Sequence, residues 1–308
     1  MSRWTESDIG DQTGRTVLVT GANSGLGLET ARALAAHGAR VLMTARDEGK
    51  GLAALDHVRG TVRDADLELV LLDLADLDDV RRVAAGLEGP LDVLVNNAGV
   101  MMPPRSLSPQ GHELQFATNH LGHFALTGLL LDRLVAAADA GSDARVVTVS
   151  STMHRPGRIH YDDLTGERGY SPTGWYSQSK FANVLFGLEL DRRLRAAGSS
   201  IRSVVAHPGY AATHLQTSGP TGIAKTLMAV GNRLMAQSAE AGARSELFAA
   251  TDPGVQGGTF IGPDGLGQNR GHPKVVRPVG RAEDPDDARR LWELSEELTG
   301  VRFHLPPA

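Results

Sequence analysis

The chain should fold as an α/β protein, a doubly wound parallel sheet of about seven strands with helices on both faces. Three observations predict this. Short β-branched runs alternate with longer helix-period segments from residue 16 onward. The runs are almost continuously apolar, as strands covered on both faces must be. The first run also passes through a glycine-punctuated turn straight into a helical pattern, the arrangement that opens a βαβ unit.

The strand candidates are TVLVT (16–20), ARVLMTA (39–45), LELVLLDL (67–74), LDVLVNNAG (91–99), ARVVTVS (144–150), IRSVVAHPG (201–209) and GTFIG (258–262). Helical spacing fills the intervals at 25–37, 48–60, 77–87, 111–138, 174–197 and 239–251, and the capped amphipathic pattern of EDPDDARRLWELSEELTG adds a helix near 285–299. No repeat, low-complexity tract or composition break marks a linker, so residues 1–308 read as one domain with an N-terminal tail (1–13) and a C-terminal extension (263–308). The irregular stretches are 152–173, 214–238 and 263–284, and loops of that length in a compact domain are usually functional.

Composition narrows the function. The 308 residues are 41% hydrophobic and 22% charged with a formal net charge of −5, which leaves no basic footprint for nucleic acid or an anionic membrane. Cysteine is absent, so disulfides, thiolate metal sites and cysteine nucleophiles are excluded. The N-terminus is polar and lacks the apolar core of a secretion signal. The longest greasy run, FALTGLLLDRLVAAA, is broken by Asp132 and Arg133 and is too short to span a bilayer, so a soluble, cytoplasmic protein is expected. His120 and His123 lie three apart, but nothing supplies the spacing of a metal-binding helix, and no metal is expected.

The turn after the first strand, TGANSGLG, brings together Gly21, Asn23, Ser24, Gly25, Leu26 and Gly27. Glycine lets the backbone approach a ligand closely, and the helix N-terminus that follows offers free N–H groups to a phosphate. Its spacing differs from the G-x-G-x-x-G dinucleotide fingerprint, and ordinary turn chemistry is the alternative. Placement on the first βα unit favours a dinucleotide. The second strand ends Thr44-Ala45-Arg46 where NAD-binding chains carry an acid. An arginine there suits a 2′-phosphate, so NADP(H) is expected over NAD(H), unless Arg46 is a surface residue paired with Asp47.

Further motifs close the other strands: LDL (72–74, with Asp73 and Leu74), NNAG (96–99, with Asn97, Ala98 and Gly99), VSS (149–151) and HPG (207–209, with Pro208 and Gly209). A tyrosine and a lysine follow in YSQSK, Tyr176 and Lys180. In this order the set resembles the short-chain dehydrogenase/reductase family, with its Rossmann-type fold, over about residues 14–262. ARDEGKG, LDLADL, NNAG and TNHLGHF look most like its retinol dehydrogenase-like branch. The resemblance implies a reactive centre of Ser151, Tyr176 and Lys180, with Asn119 in a water-linked proton relay and Ser150 as the neighbouring alternative to Ser151. It also implies that Lys180 bonds the nicotinamide ribose, that Thr213 in HPGYAAT bonds the cofactor, and that 214–238 is a lid over the substrate. Ser151 and Tyr176 are 25 positions apart, more than in many members, and the extra segment should sit over the active-site mouth.

On a helix, Tyr176 and Lys180 share one face. A cation beside a phenol lowers a pKa that is otherwise near 10. A phenol so tuned can exchange a proton with a carbonyl or alcohol oxygen, while Ser151 stabilises the charge on that oxygen. The plain alternative is an exposed pair on an amphipathic helix. The expected activity is therefore NADP(H)-dependent interconversion of an apolar alcohol with its aldehyde or ketone. A non-catalytic NADP(H) sensor or scaffold, or a reductase of an activated C=C bond, is the alternative. Family members are often dimers or tetramers, so a homo-oligomer is compatible with this reading.

Overall fold

A computed structural model describes residues 3–209 and 238–305. The strands are β1 (Thr16–Val19), β2 (Arg40–Ala45), β3 (Leu67–Leu71), β4 (Val93–Asn96), β5 (Arg145–Val149), β6 (Arg202–Ala206), β7 (Phe260–Pro263) and β8 (Pro273–Val276). They form one sheet in the order β3-β2-β1-β4-β5-β6-β7-β8. Neighbours run parallel from β3 to β7, and β8 pairs antiparallel with β7, Phe260 opposite Val276. The chain winds outward from β1 to β3, then returns to place β4 on the other side of β1. That reversal opens a crevice at the strands' carboxyl ends, where ligands bind in such sheets.

Among the described residues the helices are α1 (Gly25–Ala36), α2 (Glu48–Thr61), α3 (Leu77–Gly86), α4 (Leu114–Leu129), α5 (Leu131–Asp139), α6 (Pro172–Ala196), α7 (Ala239–Thr251) and α8 (Pro285–Thr299). Side-chain alternation along the strands sets two cores. Val17, Val19, Val147 and Val149 face α1, α2 and α7. Leu18, Leu94 and Val146 face α3, α4, α5, α6 and α8. Helix starts follow local chemistry: Asp47 accepts from Lys50 N, Ser171 from Gly174 N with Pro172 in the first turn, and Asp284 from Asp286 N with Pro285 likewise.

The structure departs from expectation in two places. The sheet has eight strands rather than about seven, because Pro273–Val276 lies in a segment read as irregular. A four-residue edge strand that begins with proline and carries an exposed lysine gives little periodic signal. The single helix expected over 111–138 starts at Leu114 and bends by 49° between α4 and α5, and Ala117–Leu121 within it is wound as a π-helix. The N-terminal tail is packed down: Ile9 joins the core, Trp4 meets Phe248 edge-on at 5.4 Å between centroids, and Glu6 pairs with Arg32.

No single helix among the described residues is long and apolar enough to cross a membrane; α4 and α5 reach that test only as a bent pair. Nearly every residue of α4 is buried, because Gly122 and Gly128 let it lie against the Leu74 backbone and the Val301 and Phe303 side chains. His120 and His123 sit inside this helix, and burial pushes them down to about 3 and about 4. The folded state thus holds His120 neutral to about pH 3, whereas the unfolded chain protonates it near 6.5. Between those limits the unfolded state binds the extra proton, so this group lowers stability as pH falls, by ~1.4 kcal/mol per unit. His120→Gln should make the slope of unfolding free energy against pH between 6 and 4.5 shallower by about one proton, measured by urea denaturation. An unchanged slope would contradict that assignment.

Candidate active site

A cleft of about 510 Å³ runs along the carboxyl ends of the strands, from the glycine turn at one end to Tyr176 and Lys180 at the other. Gly21 and Gly25 take φ of +65° and +58°, the left-handed region that favours glycine. A Cβ on Gly27 would fall 2.4 Å from Asn97 Nδ2 and 2.6 Å from the Gly21 carbonyl oxygen. The turn therefore presents bare backbone at the start of α1. Asn23, Ser24, Leu26, Asp73, Leu74, Asn97, Ala98, Gly99, Pro208 and Gly209 line the same cleft. Backbone amides at a helix N-terminus, with no side chain in the way, fit the pyrophosphate of a dinucleotide.

Thr20, at the end of β1, ties this end together and was not singled out from the sequence. Its hydroxyl oxygen accepts from the Asn97 and Ala98 amides, each at 2.9 Å, and lies 2.9 Å from His123 Nε2. Asn97 Nδ2 donates back to the Thr20 carbonyl at 2.7 Å. Its place at the end of a strand beside a glycine turn was the available signal: a hydroxyl there can serve two neighbouring loops at once.

Arg46 lines the cleft just past β2, with Lys50 in the first turn of α2. Asp47 forms no ion pair with it among the described residues; its carboxylate caps α2 instead, accepting from Lys50 N at 2.8 Å. Arg46 is exposed, and none of the ion pairs among the described residues includes it. Lys50 is a second cation that the sequence reading missed. Its position four residues beyond Arg46 was the signal.

At the other end Tyr176 and Lys180 are buried, 6% and 4% exposed, which rules out the exposed surface pair. Lys180 Nζ donates to the Val149 carbonyl at 3.1 Å and lies 5.9 Å from the Tyr176 ring centre. Asn183 donates to the same carbonyl at 3.0 Å. Burial pushes the Tyr176 phenol up to about 12, and a hydrogen bond with Ser151 works against that rise. Burial also pushes Lys180 down to about 8, opposed by the charge of Glu246. The sequence suggested a phenol lowered by its lysine neighbour. In the protein alone desolvation is the larger effect, and it moves the phenol the other way.

The two serines separate cleanly. Ser150 Oγ donates to the Lys180 carbonyl at 2.8 Å and anchors α6, while Ser151 is the one bonded to the phenol. Asn119 is close to the centre, but its side chain clamps the loop after β4. Its Oδ1 accepts from Val100 N at 2.8 Å, and its Nδ2 donates to the Val100 carbonyl and to Ser179 Oγ, each at 2.9 Å. The π-wound turn of α4 sets Asn119 in that position, and its carbonyl lies 3.0 Å from His123 Nδ1. Glu246 is a further buried group that sequence reading passed over: burial pushes it up to about 7, and Thr30 Oγ1 donates to its Oε2 at 3.0 Å.

The extra segment expected over the mouth, residues 154–172, does not line the cleft; Thr152 and Met153, just before it, do. Much of that segment is held elsewhere, with His154 Nε2 accepting from Val279 N at 3.2 Å and Tyr161 donating to Asp287 Oδ1 at 2.5 Å. Thr213 and the lid expected at 214–238 fall outside the described residues, apart from Ser238, which caps α7. No group of three acidic or histidine side chains that could hold a metal occurs among the described residues.

Comparison with known proteins places this geometry. A family model described as short chain dehydrogenase matches residues 15–224. Retinol dehydrogenase 13 of Homo sapiens is 40% identical over 299 residues, covering 94% of this chain and 85% of that protein. Polyprenol dehydrogenase of Mus musculus is 38% identical over 295 residues, covering 94% and 85%. The crystal structure of an uncharacterized protein from Mycobacterium Paratuberculosis aligns with a TM-score of 0.82 at 45% identity, covering 99% of this chain and 100% of that one.

Proposed function

The chain belongs to the short-chain dehydrogenase family, in its retinol dehydrogenase-like branch, and from that premise we propose an oxidoreductase that favours NADP(H) and uses Tyr176 to move the proton. Interconversion of alcohol and carbonyl groups with a nicotinamide dinucleotide comes with the family. The observation that carries the finer reading is the burial of Tyr176 and Lys180 together beside Ser151, at the end of β5.

The bound dinucleotide would give or take the hydride; the chain supplies position and the proton. A phenol pushed up to about 12 is fully protonated at neutral pH, so Tyr176 is set to donate to the oxygen of a carbonyl being reduced. Ser151 Oγ, bonded to the phenol, can donate to the same oxygen and share its developing charge. The phenolate left on Tyr176 then lies near the ammonium of Lys180, which at about 8 keeps most of its charge at pH 7. In alcohol oxidation Tyr176 must first be ionised, so that direction should speed up as pH rises.

Gly21, Asn23, Ser24, Gly25, Leu26 and Gly27 would hold the pyrophosphate, and Arg46 with Lys50 the 2′-phosphate. Asp73, Leu74, Asn97, Ala98, Gly99, Pro208 and Gly209 would complete the cofactor's walls, and Lys180 would bond its ribose. Met101, Met102 and Met153 line the cleft near Tyr176 and suit an apolar alcohol, aldehyde or ketone. Two relatives are named for retinol and polyprenol, which agrees with such a substrate.

Tyr176→Phe removes the transferable proton and keeps the ring. NADPH-dependent reduction of a panel of aldehydes and ketones should fall by about 10²–10⁴ in kcat, with NADPH affinity by calorimetry little changed. Turnover that survives the substitution would overturn the mechanism. Arg46→Ala tests the cofactor preference. A charge-assisted bond to the 2′-phosphate is worth ~1.5–3 kcal/mol, so Kd for NADPH should rise roughly ten- to a hundredfold while that for NADH stays put. Equal effects on both cofactors would remove the basis for NADP(H).

A further inference from the structure

Gln115 is fully buried in the first turn of α4, and every polar atom of its side chain is engaged. Its Oε1 accepts from the Met102 amide at 2.8 Å. Its Nε2 donates to Tyr170 Oη and to the Pro172 carbonyl, each at 3.0 Å. Tyr170 in turn donates to the Pro103 carbonyl at 2.8 Å. One amide thus joins three segments: the loop after β4, the end of the extra loop before α6, and the first residue of α6. That helix carries Tyr176 one turn further on.

Met102 is the member of this network that faces the cleft. It takes a φ of +55°, a left-handed conformation unfavourable for a residue with a side chain. Two contacts hold it there, the amide bond to Gln115 and a bond at 3.7 Å from Thr173 Oγ1 to the thioether sulfur. The position of the Met102 side chain in the cleft that Thr152 and Met153 also line therefore depends on a residue that does not line it.

We propose that Gln115 is a positioning residue for substrate: by bonding Met102, Tyr170 and Pro172 together it sets the width of the apolar mouth beside Tyr176, and so the reach of the alkyl chain accepted. This rests on the oxidoreductase reading above. Loss of the bond leaves the Met102 amide unpaired and frees its backbone to relax to negative φ, which moves the thioether across the mouth. A long apolar chain feels that movement and a short one does not. The reacting end stays in place, because Lys180 and Ser150 anchor α6 independently of Gln115.

The test compares wild type with Gln115→Leu, Gln115→Glu and Tyr170→Phe, using NADPH with decanal and with butanal. In Gln115→Leu the KM for decanal should rise at least tenfold while kcat for butanal stays within twofold. Gln115→Glu keeps an acceptor for the Met102 amide and should recover part of the loss. Tyr170→Phe cuts the network at a less buried point and should shift decanal KM in the same direction. Parallel changes on both aldehydes, or none on either, overturn the proposal. Amide hydrogen exchange reads the contact without turnover: the Met102 amide should exchange at least tenfold faster in Gln115→Leu, while the Val100 amide, held by Asn119, keeps its rate. Unchanged exchange at Met102 overturns the proposal whether or not wild type reduces either aldehyde, so its failure is read apart from that of the proposed reaction.

Discussion

Lys180 reaches across from α6 to bond the Val149 carbonyl at the end of β5, and both it and Tyr176 are buried. An ammonium stripped of hydration is costly unless the protein replaces the lost solvent. Here the replacement is a strand-end carbonyl and the field of Glu246 from the opposite face of the sheet. Burial raises the phenol and lowers the lysine, so both are pushed toward their neutral forms. Positive charge brought beside the phenol opposes the effect of burial.

The rest of the fold serves that placement. The order of the sheet puts β1 and β4 side by side, and the loops leaving them converge on one crevice. Thr20 bonds the two loop backbones together, and Asn119 fixes the residue just beyond them. Ser150 holds the carbonyl of Lys180, so α6 cannot slide along β5 without breaking a buried bond. The π-wound turn of α4 fits this picture, since a single widened turn re-aims Asn119 without ending the helix.

Much of this was legible in the sequence, for local reasons. Asp47, Ser171 and Asp284 sit where a helix needs an acceptor, so the starts of α2, α6 and α8 lie within a few residues of the expected bounds. The motifs at strand ends gathered in one cleft because parallel strands bring all their carboxyl ends to one edge. What was hidden depends on long-range packing. The edge strand β8 exists only because β7 offers it a partner. The side-chain bonds by which Asn119 clamps Val100 are a contact that no spacing rule reveals. The direction of the Tyr176 shift likewise follows from burial, which the four-residue spacing to Lys180 cannot convey.

The central claim is that a buried phenol resists ionisation in the protein alone and yields to added positive charge at its side. The chain has only four tyrosines, so ring-carbon labelling and NMR titration can follow Tyr176 directly, with Tyr176→Phe to assign its signal. The account predicts no Tyr176 phenolate up to about pH 10 in the protein alone, and a midpoint lowered by a unit or more once NADP+ is bound. A midpoint that ignores NADP+, or a phenolate already present near neutral pH without it, would contradict the account.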